Sequence, residues 1–282
     1  MNRKCFAALA ALGLLVASLV SAVGCSQGGE GLAPGTAITV DNVTEMVGNA
    51  LEDLNSYEMA LEMTISMEGV VDGEEGKSTM SAKGDGALDM AGKKMGINMA
   101  MSVNAEIEGE SIDETTKLAS YVIGDTLYVG TTDADGNTTW QRQSAPASTW
   151  ERQDQIEQQM KLLRASKVKY VKSEKVQTTD CYVIELEPDL AVLWEMTMQQ
   201  FGSMDTGMDP SDLQAALKKV TAKYWFDKDN LFFRKAYVYM QMEMGAAQLG
   251  ATSGQIEFVA EMTMDFTKHN QTPDIQLPAG AR

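Results

Sequence analysis

Residues 57–67 read Tyr-Glu-Met-Ala-Leu-Glu-Met-Thr-Ile-Ser-Met, with an apolar side chain at every odd position. The even positions are mostly polar or small. Successive side chains of a strand point to opposite faces of its sheet. This period of two therefore predicts a half-buried antiparallel strand, with one face against a core and the other in water.

The same alternation returns along the whole chain. Two long runs place apolar side chains on one face at residues 80–90 and 95–107. Further strands are predicted at 119–123, 127–131, around Trp140, and at 168–176, 181–186, 222–226, 232–244 and 255–266. Glycine and aspartate pairs at 124–125 and 135–136 are hairpin signals between them. We expect about nine or ten strands in all.

Helical segments are expected at 41–54, at 148–165 and within 188–219, where a helix at 188–201 and a short one at 210–219 flank a loop. Strands with one apolar face need that face covered, and the second and third helical segments can supply the cover. We therefore expect an α+β fold in one domain over residues 41–282: a large curved antiparallel sheet, or half-barrel, wrapped over a few helices.

The first 25 residues have the pattern of an export signal. Arg3 and Lys4 precede an almost wholly apolar run over residues 6–23, and small residues lead to Cys25. This resembles the lipobox of bacterial lipoproteins. The resemblance implies a signal peptide at 1–24, acylation (palmitate) of Cys25 and a lipidated, flexible tether at 25–40. Two or three acyl chains would anchor the protein stably to a membrane. The alternative is an ordinary secretory signal with a chance cysteine.

The charge is strongly negative, with 23 basic against 40 acidic residues in the whole chain. Removal of residues 1–24 would leave 21 basic and the same 40 acidic residues. An acidic surface is repelled by nucleic acid and by anionic head groups, so we expect no nucleic-acid partner. With Cys5 in the signal and Cys25 acylated, Cys181 has no disulfide partner. It is expected to be a buried thiol in a strand.

Several phrases, together with the order of the elements, resemble the lipoprotein-carrier superfamily, whose members include LolA-, LolB- and LppX-like proteins. They are Leu-Asn-Ser-Tyr at 54–57, Tyr-Val-Ile-Gly-Asp-Thr-Leu-Tyr-Val at 121–129, Lys-Tyr-Trp-Phe-Asp at 223–227, Phe-Arg-Lys at 233–235 and Ile-Gln-Leu-Pro at 275–278. The resemblance implies a half-barrel sheet with a hydrophobic cavity between the sheet and its helices. It also implies that acyl chains or lipid-modified proteins bind there. None of these phrases is catalytic.

Methionine is unusually frequent, with 20 in the chain, and it recurs on the apolar faces of the predicted strands. Unbranched thioethers adapt to irregular apolar ligands, so these side chains are candidates for a deformable cavity wall. The candidates are Met59, Met63, Met67, Met99, Met101, Met240, Met242, Met244, Met262 and Met264. The alternative is that they fill a solid core.

Two patterns in the sequence suggest a metal site, and each has a simpler interpretation. Met-x-Met repeats suit Cu(I), but such sites usually include histidine or cysteine, and only His269 and Cys181 exist in the mature part of the domain. Residues 133–137 contain two aspartates and an asparagine, but their spacing does not fit a calcium loop and favours a hairpin turn. The acidic stretch 106–114 reads as a solvated loop. No metal or cofactor is expected.

Catalytic motifs are absent from the sequence. There is one histidine, no Gly-x-Ser-x-Gly, no phosphate-binding loop and no Cys/His zinc spacing. We therefore expect that the protein is not an enzyme. The resemblance implies a membrane-anchored lipoprotein facing outside the cytoplasm that binds or carries lipid or acylated ligands in an apolar cavity. Ser26 lacks the aspartate of the familiar inner-membrane retention pattern, which favours an outer membrane where the host has one. The alternative is an interaction or sensory lipoprotein with a solid core, whose acidic surface binds a protein partner.

Overall fold

The structure, a computed structural model, describes residues 42, 54–107, 110–133, 135–145, 147–150, 163–193, 215–245 and 252–281. Its strands are β1 (Ser56–Val71), β2 (Glu74–Asp89), β3 (Lys94–Ile107), β4 (Glu110–Ile123), β5 (Thr126–Thr132), β6 (Thr138–Ser144), β7 (Lys167–Val176), β8 (Thr179–Glu187), β9 (Leu217–Asp227), β10 (Phe233–Gly245) and β11 (Gly254–Thr267). These eleven strands form a sheet in the order β6-β5-β4-β3-β2-β1-β11-β10-β9-β8-β7.

Every neighbouring pair of these strands is antiparallel, and β1 lies at the centre between β2 and β11. The alternating stretch at 57–67 falls inside β1, as predicted. Since directly paired residues share a face, the apolar odd positions of β1 fix the apolar face of the whole sheet. The large antiparallel sheet predicted from the sequence is confirmed.

The core lies on this apolar face. Its buried aromatic residues come from adjoining strands and contact one another; they are Tyr57, Tyr224, Phe226, Phe233 and Phe266. Leu163 and Leu193 belong to the same cluster and are 5% and 1% exposed. Both lie in short helical stretches beside β7 and β8. The apolar face is thus covered at least where these two side chains pack.

Two sequence predictions of local structure are wrong. The acidic stretch 106–114 is not a loop, because β3 runs to Ile107 and β4 begins at Glu110. The backbone of β4 pairs with β3 along its full length. These backbone hydrogen bonds form regardless of whether the side chains are polar. The helix predicted to end at Lys219 also ends earlier, since β9 begins at Leu217.

The predicted helices lie largely outside the described residues. Of the segment 148–165, the structure describes a 3-10 turn, Ala147–Trp150, and a helical ending at 163–164. Of the segment 188–219, it describes helical residues at 190–193 and 215–216. The opening helix is represented by Asn42 alone. The signal peptide, Cys25 and the tether lie outside the described residues.

Both predicted hairpin turns are confirmed. Gly124 and Gly136 have φ angles of +59° and +83°, a region that residues with a Cβ adopt at a cost. In the second turn, Asp133 Oδ1 accepts a hydrogen bond from the Asn137 backbone N–H at 2.8 Å. This carboxylate therefore stabilises the turn, as the hairpin interpretation predicts.

Asp72 joins the β1–β2 turn to the residues before β11. Its Oδ1 accepts hydrogen bonds from the backbone N–H groups of Thr252 and Ser253, both at 2.9 Å, and from the Thr252 hydroxyl. The Thr252 hydroxyl, followed by the backbone donors, lowers the pKa of Asp72. The contact fixes the central strands at the end of the sheet opposite to the start of β1.

Candidate functional site

All ten candidate methionines lie on the apolar face of the sheet, which we call the methionine face. One row across the sheet shows how they meet: Met101 pairs with Ala82, Ala82 with Met63, and Met63 with Met262. The neighbouring row joins Met99 to Met264 in the same way. The structure thus brings together side chains that are up to 205 positions apart in the chain, between 59 and 264.

Burial divides these methionines into two groups. The five on β10 and β11 are between 0% and 6% exposed and belong to the core; they are Met240, Met242, Met244, Met262 and Met264. The five on β1 and β3 are only half-buried; they are Met59, Met63, Met67, Met99 and Met101. Thioethers of the second group are therefore partly accessible from outside the packed interior.

Between β1 and β3, the methionine face of β2 carries very small residues. Ala82, Gly84 and Gly86 occupy successive positions on this face. A Cβ on Gly84 would lie 2.7 Å from Met99 Cγ, and a Cβ on Gly86 would lie 2.7 Å from Met59 Cε. The methionine side chains thus lie over the glycines, where a larger residue would collide with them. We call this strip of β2 the small-residue trough.

The methionine face becomes partly polar at β4. Met101 pairs with Thr116, Val103 with Glu114, and Ile97 with Ser120, whereas Met99 pairs with Leu118. Side chains that hydrogen-bond to water therefore border part of the half-buried group on one side. An apolar strip with a polar margin has the chemistry to hold a molecule with an apolar chain and a polar end.

The opposite face of the sheet carries an acidic cleft of about 820 Å³. The C-terminal segment crosses this face beside β1 to β4, and Ile275, 6% exposed, packs close to Gly96 and Tyr121. The acidic residues that line the cleft are Glu58, Asp85, Asp265 and Asp274. Sequence reasoning missed this cleft, since it exists only once the tail has docked.

Lys268 and Tyr121 order parts of the cleft wall. Lys268 Nζ lies 2.9 Å from Glu58 Oε1, and the Tyr121 hydroxyl donates a hydrogen bond of 2.9 Å to Asn98 Oδ1. Lys268 pairs with Glu58, and Lys235 is the register partner of Asp265. Asp85 and Asp274 also line the cleft, so it can attract cationic groups.

A partly buried polar network lies beside the cleft at the same end of the sheet. Arg234 Nη2 lies 2.6 Å from Asp227 Oδ2, and Arg234 Nη1 lies 3.2 Å from His269 Nδ1. His269 Nε2 is 2.7 Å from the carbonyl oxygen of Phe233. Burial, with help from the Arg234 charge, lowers the pKa of His269 to about 4. The lone histidine is thus neutral at pH 7 and joins β10 to the end of β11.

The side chains that could bind a metal ion in the two metal hypotheses are thioethers, carboxylates, His269 and Cys181. Within the described ranges, no group of three or more His, Cys, Asp and Glu residues could hold a metal ion. A copper site would need thioethers at solvent, but those of β10 and β11 are buried in a row. Met196 and Met198, a further Met-x-Met repeat, lie outside the described residues. Cys181 is a buried free thiol in β8, as predicted, and burial raises its pKa.

No helix found in the described part of the chain has the length and apolar character needed to cross a membrane.

Comparison with known proteins identifies a family and several solved structures. The family described as "Family of unknown function (DUF6612)" matches residues 39–282. No curated protein sequence matches the chain.

Several solved structures are similar to the chain at low sequence identity. The lipoprotein LppX of Mycobacterium tuberculosis is 15% identical, with 79% of this chain and 90% of that one covered and a TM-score of 0.36. LprF from Mycobacterium bovis is 11% identical, with 89% and 100% covered and a TM-score of 0.42. A domain from Vibrio parahaemolyticus, named for outer membrane lipoprotein sorting, is 11% identical, with 78% and 87% covered and a TM-score of 0.18.

Proposed function

The chain belongs to the DUF6612 family, a family of unknown function. Within that family, we propose that this protein is a membrane-anchored extracytoplasmic lipoprotein. We propose that it binds lipid or acylated ligands on its methionine face. The observation that carries the proposal is the contrast in burial along this face. Buried methionines of β10 and β11 continue into half-buried methionines of β1 and β3.

The half-buried methionines suit a variable apolar ligand. Met59 and Met99 are unbranched and lie over glycines, so a change of rotamer would open the small-residue trough without moving the backbone. A chain of about twelve methylenes would contribute roughly 10 kcal/mol on burial, before the cost of ordering, at about 0.8 kcal/mol for each methylene. That is ample for binding in the micromolar range or tighter.

The polar margin at β4 gives the ligand a direction. An acyl chain that crosses the trough from β1 toward β4 would place its polar end beside Thr116 in the row of Ala82, or beside Ser120 in the row of Gly86. Hydroxyl groups there can hydrogen-bond to a head group, whereas the opposite end of the row is the buried core. The proposed ligand is therefore amphiphilic rather than a pure hydrocarbon.

The proposed domain organisation places this site outside the cytoplasm. A signal peptide at 1–24 is removed, Cys25 carries the acyl anchor, residues 25–40 form the tether, and residues 41–282 form the binding domain. Helices within 148–165 and 188–219 would cover the methionine face and complete a cavity of half-barrel type. Buried Leu163 and Leu193, beside the ends of these segments, support that cover.

Native mass spectrometry tests the proposal. The chain from residue 27 to 282, purified from a bacterial host, should retain about one phospholipid or other acyl species, released by solvent extraction. A bare mass that does not change after incubation with lipid vesicles would contradict the proposal.

A pair of variants on one strand localises the ligand. Met99→Gln together with Met101→Gln places polar amides on the methionine face and should lower the lipid-bound fraction several-fold. Ala100→Gln lies between them on the opposite face and should leave the bound fraction unchanged. Equal loss in both variants would place the ligand elsewhere.

The acidic cleft favours a second candidate function, that of an interaction or sensory lipoprotein with a solid core. Its cationic partner would bind Asp85, Asp265 and Asp274. Calorimetric titration with a lysine-rich peptide, repeated on Asp85→Asn/Asp265→Asn, tests it. Heat that disappears in the double variant would support the second function, and no heat in the wild type would remove it.

A further inference from the structure

The charge of the sheet is distributed very unevenly. Strands β1 to β4 contain eleven acidic and four basic residues. Strands β7 to β10 contain six acidic and nine basic residues. One side of the sheet is therefore strongly negative and the other is positive, although the whole chain has a net charge of -17.

Six lysines of the positive side share the face opposite the methionine face. The pairing partners run from Lys169 through Glu185 to Lys223, and from Lys172 through Val183 and Trp225 to Lys235. We call this surface the lysine face; its members are Lys167, Lys169, Lys172, Lys219, Lys223 and Lys235.

The lysine face is accessible to a large partner. The side chains of Lys167 and Lys172 are 83% and 58% exposed. Lys169 is exposed and has no ion-pair partner within the described residues. Glutamates of β8 pair with Lys167 and Lys223 at 3.1 and 3.2 Å, but exposed pairs such as these exchange readily with other anions.

Aromatic rings lie beneath two further lysines. Lys219 Nζ is 5.5 Å from the ring centre of Tyr239, and Lys235 Nζ is 5.6 Å from that of Trp225. Within the described residues neither ammonium group lies within 4 Å of a carboxylate, although Asp265 is the register partner of Lys235 and the charge of Lys235 also acts on Glu174. Trp225 is 9% exposed and its Nε1 is buried, so this ring supports Lys235 from below and the ammonium groups form the accessible part of the surface.

We propose that the lysine face turns toward an anionic phospholipid bilayer when the domain is tethered at its surface, while β1 to β4 face away. The inference rests on the tether at Cys25 in the proposed function. Net charge is the same in every orientation, so only its distribution decides which side approaches the bilayer. Charges interact with the surface over a Debye length of about 8 Å at physiological ionic strength, which gives the nearest side chains the largest effect.

The orientation also separates the two faces of the sheet by function. The lysine face and the methionine face lie on opposite sides of β7 to β10. With the lysines against the bilayer, the small-residue trough of β2 and its polar margin at β4 stay on the acidic half of the molecule, away from the anionic surface.

The lysines themselves can report the orientation. A chain that begins at Cys25, made without acylation, is coupled through that thiol to a maleimide phospholipid, while Cys181 is fully buried and does not react. Acetylation rates of individual lysines are then measured on vesicles of phosphatidylcholine, with or without phosphatidylglycerol. Phosphatidylglycerol should slow acetylation of Lys167, Lys169 and Lys172 several-fold and leave Lys83 and Lys117 unchanged.

Two double variants with the same change in net charge separate the local effect from the global one. Lys169→Glu/Lys172→Glu alters the lysine face, and Lys83→Glu/Lys117→Glu alters the same side of β2 and β4. Each pair contains one lysine with an ion-pair partner, Glu174 at 2.7 Å for Lys172 and Glu62 at 2.9 Å for Lys83.

The first double variant alone should abolish the protection of Lys167 and Lys219 on phosphatidylglycerol vesicles, as should high salt. Uniform acetylation in the wild type, or equal loss of protection in both double variants, would overturn the proposal. Because the tether is supplied chemically, absence of acyl chains on Cys25 in cells would contradict the proposed function and leave this result intact.

Discussion

His269 Nε2 lies 2.7 Å from the carbonyl oxygen of Phe233, which identifies Nε2 as the nitrogen that carries the proton. Nδ1 is then the acceptor for Arg234 Nη1 at 3.2 Å. A second proton on Nδ1 would face the guanidinium group. The ring is therefore held neutral, in agreement with a pKa lowered to about 4 by burial and by the Arg234 charge.

The first prediction concerns stability and pH. Between the folded pKa of about 4 and the ordinary value of 6.5, the unfolded chain binds a proton at His269 and the folded chain does not. The free energy of unfolding should therefore rise with pH across this window, and the gain should be complete above about pH 6.5, the ordinary pKa of histidine. We expect an effect on the order of 1–2 kcal/mol, after allowance for the partial exposure of the ring, from urea unfolding at a series of pH values.

His269→Gln is the matched control, because carboxylates elsewhere in the chain titrate as well. A glutamine can donate to the Phe233 carbonyl and accept from Arg234, but it does not titrate. The difference in unfolding free energy between the two proteins should change across the window. Parallel curves would contradict the neutral state of His269 in the folded chain.

The second prediction concerns the ion pair beneath the histidine. Asp227 has a side chain that is only 4% exposed, and its carboxylate accepts hydrogen bonds from both Arg234 Nη2 and the Asp229 backbone N–H. Arg234→Met leaves this carboxylate unpaired and should lower the unfolding free energy by about 3 kcal/mol. Lys235→Met, at the next position, removes a charge over a ring and should cost about 1 kcal/mol or less. If both variants lose a similar amount of unfolding free energy in urea, the stability of the fold around Asp227 does not depend on its ion pair with Arg234.

The third prediction concerns the tail over the acidic cleft. A Cβ on Gly96 would lie 2.9 Å from Tyr121 Cε1 and 3.4 Å from Ile275 Cγ2. Gly96→Val should displace Tyr121 and Ile275, with a cost of about 1–3 kcal/mol. Hydrogen exchange of residues 272–281 should become faster.

Ala100→Val is the control for the tail. Ala100 lies on the same face of β3 as Gly96, is exposed, and should accept valine with no change in the exchange of the tail. If the tail exchanges at the wild-type rate in Gly96→Val, its docking does not depend on this contact.

The strands were predictable because their pattern is local. In β1, β3, β10 and β11 an alternating apolar face is written in consecutive residues, and those strands were found within a few positions of their ends. The first half of β4 has no such pattern, since residues 110–117 are polar on both faces apart from Ile112. Its strand conformation comes from pairing with β3, which a local pattern does not contain.

The candidate site was predictable only in part, for the same reason. Alternation alone assigns the ten methionines to one face of their strands, but their burial depends on what packs above each of them. The network of Asp227, Arg234 and His269 joins residues 42 positions apart, and the sequence offers only a single histidine as a signal. The acidic cleft depends on the path of the tail, which no periodicity describes.

The last prediction separates a solid core from a ligand-binding surface by comparing two methionines. Met240 is 0% exposed in the core, while Met99 is half-buried over Gly84. Met240→Ala leaves a cavity among packed neighbours and should lower the unfolding free energy by about 2–4 kcal/mol. Met99→Ala removes fewer contacts and should cost about 1 kcal/mol in the lipid-free chain.

Added lipid should raise the unfolding free energy of the two variants by different amounts. A ligand that binds the folded chain raises the unfolding free energy, and the rise reflects the affinity at a fixed ligand concentration. Met240→Ala should keep the wild-type rise, since its side chain lies below the surface, whereas Met99→Ala should show a smaller one. If Met99→Ala costs as much as Met240→Ala and neither responds to lipid, the methionine face is a closed core. The binding function would then belong to the acidic cleft on the other side of the sheet.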